Sequence, residues 1–208
     1  QLFRERPLDL KLLVFGEGPN DVGKPEGPPE WGTLQRLISL VLKKSEITFE
    51  RMQIIHLGPR RSKGGFQEKV KLAFREAELR ESDAIVYVVD QDGDAKREEK
   101  LKKAWKQQTI TIPSAVGVAI KTIEAWLLAD ETAIAKAFLS ETPSTTKDPE
   151  KLSDPKQILQ SRLNEIDVWA NYSEMYAKLA DHVRIETLRK RCPNGFAPFE
   201  AELLSLVE

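Results

Sequence analysis

Short apolar runs alternate with stretches of helical periodicity over the first 120 residues of the chain. Apolar runs bounded by Gly, Pro or Asp predict four buried strands, at 10–15, 52–57, 84–89 and within 109–120. Apolar residues that recur every three or four positions predict the intervening helices, at 30–44, 66–80 and 96–107. This alternation predicts a Rossmann-like α/β fold with a parallel sheet, which binds ligands beyond the carboxyl ends of its strands.

The chain from residue 122 onward has helical periodicity and no further strand-like run. A segment rich in Ser, Thr and Pro, at 140–155, interrupts this periodicity and predicts a loop. We therefore expect an α/β domain at 1–139, with a helical C-terminal extension at 140–208 packed on it.

Composition favours a folded cytoplasmic protein with no membrane association. Of the 208 residues, 40% are hydrophobic, which is enough for a sizeable core, and 31% are charged. No apolar run approaches the roughly 18 residues of a membrane span. A single cysteine, Cys192, excludes an internal disulfide and a thiolate metal cage.

The net charge of −1 argues against a protein that coats nucleic acid through bulk attraction, but basic residues cluster locally. Arg60, Arg61 and Lys63 lie between Gly58 and the pair at 64–65, in a predicted loop at the carboxyl edge of the sheet. We expect these three side chains to bind nucleic-acid phosphates. The alternative is a solvated basic loop that serves solubility alone.

Carboxylates follow two of the predicted strands. Glu17 comes directly after the first strand, and Asp90, Asp92 and Asp94 follow the third in the run Asp-Gln-Asp-Gly-Asp. Because parallel strands end at the same edge of a sheet, these side chains are predicted to converge, and converging carboxylates repel unless a cation neutralises them. The pattern predicts a Mg²⁺ site, with Mn²⁺ as an alternative ion.

Two other interpretations of the acidic run stay open. Asp and Gly also end strands as ordinary turn formers, in which case the sheet edge serves a non-catalytic partner-binding module. The run Asp90-Gln91-Asp92-Gly93 also resembles the nucleophile motif of haloacid-dehalogenase phosphatases, although Asp94 replaces the usual Thr. An EF-hand is excluded, because Ala95 stands where the loop needs Gly and Leu101 where it needs Glu.

The two carboxylate motifs together resemble the Toprim domain of topoisomerases, primases and the overcoming-lysogenization-defect nucleases. The segment 120–130, which contains Glu-Ala-Trp-Leu-Leu-Ala-Asp, resembles more closely a bacterial Toprim-like family numbered 4276 among the domains of unknown function. Asp154-Pro155-Lys156 and Arg191-Cys192-Pro193 strengthen this resemblance, which covers nearly the whole chain.

The resemblance implies a Mg²⁺-dependent nuclease or related phosphodiester-transfer enzyme. It assigns Glu17 as general acid/base or metal ligand, and Asp21, Asp90, Asp92 and Asp94 as further metal ligands. Lys121 and Glu124, one helical turn apart, are expected to place a cation on the scissile phosphate and another carboxylate near the metal; an exposed Lys121–Glu124 pair is the alternative. The implied setting is bacterial phage defence, with DNA favoured over RNA as substrate and an ATPase as partner.

Overall fold

A computed structural model describes most of the chain, namely residues 10–18, 21–23, 30–43, 47–51, 65–109, 111–141, 145–166 and 171–208. The predicted strand at 52–57 and the basic residues Arg60, Arg61 and Lys63 lie outside these described residues.

The described residues form a four-stranded parallel sheet, which confirms the predicted α/β class. The strands are β1 (Leu10–Phe15), β2 (Ile47–Arg51), β3 (Ala84–Asp90) and β4 (Ser114–Ala119). The second strand therefore begins five residues before the predicted position, at Ile47. Strand β3 consists almost entirely of buried apolar residues, and the last four residues of β1 are buried and apolar, as expected for central strands covered on both faces.

The strand order β2-β1-β3-β4 creates a switch point between β1 and β3. The chain passes from β1 to β2 on one side of β1 and then crosses to β3 on the other side of β1. The connections that follow β1 and β3 therefore run in opposite directions along the sheet. A crevice forms at such a point, beyond the carboxyl ends of the two strands. The residues that directly follow β1 and β3 therefore line the position where α/β proteins bind ligands.

The predicted helices between the strands are present. They are α1 (Thr33–Leu42), α2 (Gly65–Leu79) and α3 (Arg97–Lys106). Helices α2 and α3 bury apolar residues, including Phe74 and Leu101, against one face of the sheet, where Tyr87 stacks on Phe15. Helix α1 packs on the opposite face, where it shares a core with the C-terminal helices.

The C-terminal part is helical, as predicted. Its helices are α4 (Glu124–Leu128), α5 (Glu131–Phe138), α6 (Pro155–Asn164), α7 (Tyr172–Ala180), α8 (Ile185–Arg191) and α9 (Phe196–Leu204). A 3₁₀ helix at Pro149–Lys151 lies within the predicted loop at 140–155. These helices and α1 share one core, in which Trp126 stacks on Phe199.

The helix predicted from residue 122 is divided and begins later than expected. Lys121 has a left-handed backbone, with φ of 66°, so it lies outside the helix. Helix α4 ends at Leu128, and Asp130, with φ of −121°, then precedes α5. Apolar residues recur at helical spacing from residue 122 and across the break between α4 and α5. The sequence pattern therefore predicted neither the later start nor the division of the helix. None of the described helices is long and apolar enough to span a bilayer.

Candidate functional site

The ends of β1 and β3 meet through a direct contact between two predicted site residues. The backbone N–H of Asp90 donates a hydrogen bond to Glu17 Oε2, at 3.2 Å. The loop after β4 joins them, because the backbone N–H of Ile123 donates to Asp90 Oδ1, at 2.9 Å. Three consecutive strand ends of the sheet are thus connected through the carboxylates of Glu17 and Asp90.

Asp21 lies in the loop after β1 with only 7% of its surface exposed. Its Oδ2 accepts a hydrogen bond from the N–H of Gly18, at 2.7 Å, and its carbonyl accepts one from Leu34 at the start of α1, at 2.8 Å. Burial, together with the negative charges of Glu124 and Glu17, raises the pKa of Asp21 to about 6, although the Gly18 hydrogen bond opposes the shift. The loop therefore holds a carboxyl group that titrates near neutral pH.

Asp90 and Glu124 complete a group of neighbouring carboxylates. Glu124, the first residue of α4, is 5% exposed. Burial raises the pKa of Asp90 to about 7, and the negative charges of Asp21, Glu124 and Glu17 raise it further, against the hydrogen bond from Ile123. Besides burial, the pKa of Asp90 is thus raised by Asp21 and Glu17, from the loop after β1, and by Glu124 of α4. We call these four residues the carboxylate cluster.

Asp92 and Asp94 are more exposed than the residues of the carboxylate cluster. The side chain of Asp92 is 79% exposed, and its backbone is left-handed, with φ of 50°. Asp94 accepts hydrogen bonds from Lys100 Nζ, at 2.6 Å, and from the N–H of Lys96, at 3.0 Å, and both bonds lower its pKa. The sequence predicted that all three Asp residues converge on one site, but the chain turns at Asp92 and Gly93 and leaves the extended conformation.

Lys121 contributes to the site through its backbone. Its carbonyl accepts a hydrogen bond from the N–H of Asp92, at 3.1 Å, which ties the loop after β4 to the loop after β3. Its neighbour in the predicted pair, Glu124, is buried and raises the pKa of Asp21 and Asp90, so Glu124 belongs to the carboxylate cluster rather than to a solvated helix face.

Basic residues that were not predicted individually surround the carboxylate cluster. Arg97, the first residue of α3, donates from Nη2 to Glu17 Oε1, and its Nη1 lies 3.6 Å from Asp92 Oδ2. Lys69 Nζ of α2 lies 3.8 Å from the same oxygen of Glu17. Lys156 of α6 carries a positive charge that lowers the pKa of Asp21. Arg97 and Lys69 belong to none of the motifs found in the sequence, whereas Lys156 belongs to the Asp-Pro-Lys motif.

Tyr176 of α7 is a further residue near the carboxylate cluster that the sequence did not mark. Its side chain is fully buried. Burial raises its pKa, and the negative charges of Glu124 and Asp21 raise it further. The phenol therefore stays neutral and keeps its O–H proton at physiological pH.

The carboxylates at this edge of the sheet are chemically suited to a hard divalent cation, since carboxylate oxygens are the ligands that Mg²⁺ prefers. Within the described ranges, however, no three carboxylate, histidine or cysteine side chains converge in an arrangement that could hold a metal ion. Arg97 engages Glu17, and Lys100 engages Asp94. Protein cations therefore balance part of the negative charge at this edge of the sheet.

The segment 124–130, apart from Glu124, builds the fold. Trp126, Leu127 and Leu128 are fully buried. Asp130 is also fully buried and accepts three hydrogen bonds from Arg184, through the backbone N–H, Nε and Nη2, at 2.8–2.9 Å. The segment therefore joins the sheet to the C-terminal helices through apolar packing and an ion pair between the buried Asp130 and the half-exposed Arg184.

The Arg-Cys-Pro motif holds the same region together. Arg191 Nη1 donates to the carbonyl of Ala129, at 2.6 Å, and to the carboxylate of Glu131, at 2.7 Å. Cys192 is fully buried, and burial raises the pKa of its thiol to about 12, so it is not a nucleophile at neutral pH.

The fold and this site define an α/β protein with a carboxylate cluster at the switch point of a parallel sheet. Residues 25–204 match the family described as a domain of unknown function, DUF4276, and the chain belongs to that family. This confirms the family predicted from the sequence, while the wider relationship to Toprim domains stays a prediction. Searches of curated proteins and of solved structures found no match.

Proposed function

We propose that this protein is a metal-dependent phosphodiesterase that cleaves nucleic acid, with Mg²⁺ or Mn²⁺ as cofactor and DNA as the favoured substrate. The observation that carries this proposal is the hydrogen bond between Glu17 and Asp90, with Asp21 and Glu124 buried beside them at the switch point. Ligands of α/β proteins bind at this position, and buried carboxylates in such a position are candidates for catalysis.

The electrostatics of the carboxylate cluster support a cationic cofactor. Asp21 and Asp90 have pKa values raised to about 6 and about 7 because they are buried among like charges. A divalent cation beside them would stabilise their ionised forms. When bound, Mg²⁺ supplies charge stabilisation to a phosphate and lowers the pKa of a coordinated water.

The protein's own residues would then position the substrate and move protons. Glu17, which the resemblance assigns as general acid/base or metal ligand, lies beside Asp90 and is the proposed general base. Lys69, Arg97 and Lys156 place positive charge beside the carboxylate cluster, where phosphates next to the scissile bond would lie. Arg60, Arg61 and Lys63 are proposed to extend this contact.

The decisive experiment is cleavage of labelled single- and double-stranded DNA and RNA with Mg²⁺, with Mn²⁺ and with a chelator. Wild type is compared with Asp90→Asn and Glu17→Gln, and Glu78→Gln serves as the matched control. Glu78 is an exposed carboxylate near the C-terminus of α2, whereas the N-terminus of α2 lies at the carboxyl edge of the sheet. We expect metal-dependent cleavage that falls about 100-fold in Asp90→Asn and Glu17→Gln but not in the control.

Other outcomes identify the alternatives. A covalent phosphate trapped on Asp90 with a small phosphate ester would indicate the haloacid-dehalogenase-like phosphatase. Full biological activity in Asp90→Asn combined with Asp92→Asn would indicate a non-catalytic partner-binding module. Phage defence beside an ATPase partner is a further part of the proposal, which deletion of the encoding gene in a phage-challenged host would test.

A further inference from the structure

Strand β4 lies at one edge of the sheet. It pairs with β3 on one side, and within the described ranges no strand pairs with its other side. The carbonyls of Pro113 and Ala119 accept hydrogen bonds from the N–H groups of β3 and of the residue that follows it. Because successive residues of a strand direct their backbone groups to opposite sides, the N–H and C=O groups of Ser114, Val116 and Val118 face away from β3.

The sequence of β4 contains nothing that would discourage pairing with another strand. It consists of Ser-Ala-Val-Gly-Val-Ala, without a charged residue or a proline. Natural edge strands are often protected by lysine or proline within the strand, and short uncharged segments of this kind pair readily with other strands. Protection of the β4 edge therefore has to come from a residue outside the strand.

Glu202 of α9 occupies this position. Its Oε2 accepts a hydrogen bond from the backbone N–H of Val116, at 2.7 Å. In a longer sheet, a carbonyl oxygen of the next strand would accept from this same N–H. A carboxylate is a stronger acceptor than a neutral carbonyl, so Glu202 competes well with an incoming strand.

Glu202 also lies between helices from the two faces of the sheet. Helix α9 shares the core of one face, and α3 the core of the other. The groove along the outer edge of β4 is lined by Leu101 and Lys102 of α3 and by Phe199 and Glu202 of α9. A hydrogen bond to Glu98, at 2.6 Å, raises the pKa of Lys102, and the negative charge of Glu202 raises it further. Lys102 therefore balances part of the charge that Glu202 brings to the edge.

We propose that the outer edge of β4 is a strand-pairing surface for a second copy of this chain, and that Glu202 keeps this surface closed. The pair is an antiparallel contact of β4 with β4 around a two-fold axis, the commonest symmetry of soluble dimers. Two identical uncharged strands then face each other, with β-branched residues among the cross-strand pairs. A second copy fits the edge better than a charged peptide, because β4 offers no charged side chain to bind one.

The test measures self-association of the full chain by analytical ultracentrifugation. Glu202→Ala removes the acceptor, and we expect it to associate with a Kd on the order of 100 µM, since a strand edge is a small interface. Wild type is expected to associate about tenfold more weakly or not at all. Glu202→Gln keeps a side-chain carbonyl that can accept from Val116, so its Kd should stay within about twofold of wild type. Glu78→Ala, which removes an exposed carboxylate of α2, is the control and should sediment as wild type does.

Two further measurements locate the contact. Val116→Pro removes the outward N–H, and proline is tolerated in an edge strand at such a position. Added to Glu202→Ala, it is expected to restore the sedimentation of wild type. Hydrogen exchange of Glu202→Ala should show that the amides of 114–118 gain protection as protein concentration rises, and this readout does not require the proline variant to fold. Glu202→Met, which keeps the side-chain length but has no oxygen acceptor, replaces Glu202→Ala if that variant does not fold.

Each remaining outcome overturns the proposal. Equal association of wild type and Glu202→Ala would show that Glu202 does not close the edge. Association of Glu202→Ala that Val116→Pro leaves unchanged, or that adds no protection at 114–118, would place the contact on another surface. Association of Glu78→Ala to the same degree would mean that loss of negative charge, rather than loss of the acceptor at Val116, is the cause.

Discussion

Glu17 Oε2 accepts a hydrogen bond from the backbone N–H of Asp90 at 3.2 Å, although 73 residues separate the two in the chain. The contact exists because β1 and β3 are neighbouring parallel strands that end at the same edge of the sheet. A backbone donor does not titrate, so it holds the Glu17 carboxylate beside Asp90 whatever the protonation state of Asp90. This contact thus does not depend on the protonation state of Asp90, whereas the charge at the strand ends does.

Asp90→Asn is expected to change how stability depends on pH. The pKa of Asp90 is raised from 3.8 to about 7, so the folded state holds this proton more tightly than the unfolded state does. The free energy of unfolding of wild type therefore falls as pH rises from about 4 to about 7, and the loss is complete above that range. Asn carries no charge, and its Oδ1 can still accept from Ile123.

Urea unfolding at pH 4.5 and pH 8, in the presence of a chelator, measures this effect. From pH 4.5 to pH 8, we expect the free energy of unfolding of Asp90→Asn to rise by on the order of 2 kcal/mol relative to that of wild type. Glu78→Gln, on the exposed surface of α2, should follow the wild-type profile. A wild-type pH profile in Asp90→Asn would contradict the raised pKa.

Asp130→Asn is expected to destabilise the protein at neutral pH. Burial alone would raise the pKa of Asp130, but hydrogen bonds from Arg184 and Thr132 outweigh it and lower the pKa to about 2. The ionised carboxylate therefore contributes stability above the unfolded pKa of about 4, and this contribution is lost as pH falls from about 4 to about 2. The variant leaves Arg184 without its charged partner.

Urea unfolding of Asp130→Asn should show a loss of about 2 kcal/mol at pH 7 that shrinks toward pH 2. Arg184 is about half exposed, which keeps the loss below that of a fully buried pair. Thr132→Ala removes one hydrogen bond to the same carboxylate and should cost about 1 kcal/mol. Equal losses at pH 7 and pH 2 in Asp130→Asn would show that the ion pair is not their source.

Gly117→Ala is expected to disturb the contact between the sheet and α9. A Cβ at Gly117 would lie 2.8 Å from Cδ2 of Phe199, which is closer than carbon atoms approach without strain. We expect a loss of about 1–3 kcal/mol. Phe199→Leu in the same chain should recover part of it, which appears as a coupling energy of about 1 kcal/mol in a double-mutant cycle of urea unfolding. Additive effects of the two substitutions would mean that the added methyl group at position 117 does not clash with Phe199.

Lys121→Gly and Lys121→Ala are expected to differ in stability, although both remove the same amine. Lys121 has a φ of 66°, a conformation that glycine adopts without strain and alanine does not. We expect Lys121→Gly to be about 1 kcal/mol more stable than Lys121→Ala in thermal unfolding. If the amine contacts a substrate phosphate, both variants lose cleavage activity to the same degree. Equal melting temperatures would argue against strain at this position.

The local pattern of apolar and polar residues predicted much of the fold. The buried strands β1 and β3 and the helices between them follow from apolar runs and periodicity, because each element buries a face that its own residues define. The structure has β2 at Ile47–Arg51, a strand that the sequence pattern did not predict, while the predicted strand at 52–57 lies outside the described residues. Thr48 and Glu50 interrupt the apolar residues of β2, so its sequence lacks the continuous apolar run that marks the central strands.

The sequence by itself determined the α/β class, the family, and the placement of Glu17 and Asp90 at two strand ends. These follow from residues close together in the chain and from the rule that parallel strands end at one edge. Only the tertiary structure decided that Arg97 and Lys69 contact Glu17 and that Asp94 pairs with Lys100. It also decided that Lys156 lies close enough to lower the pKa of Asp21, and Asp21 close enough to raise the pKa of Tyr176. These contacts depend on how the helices pack and where the loops turn. The sequence around a charged residue does not predict which residue it will pair with.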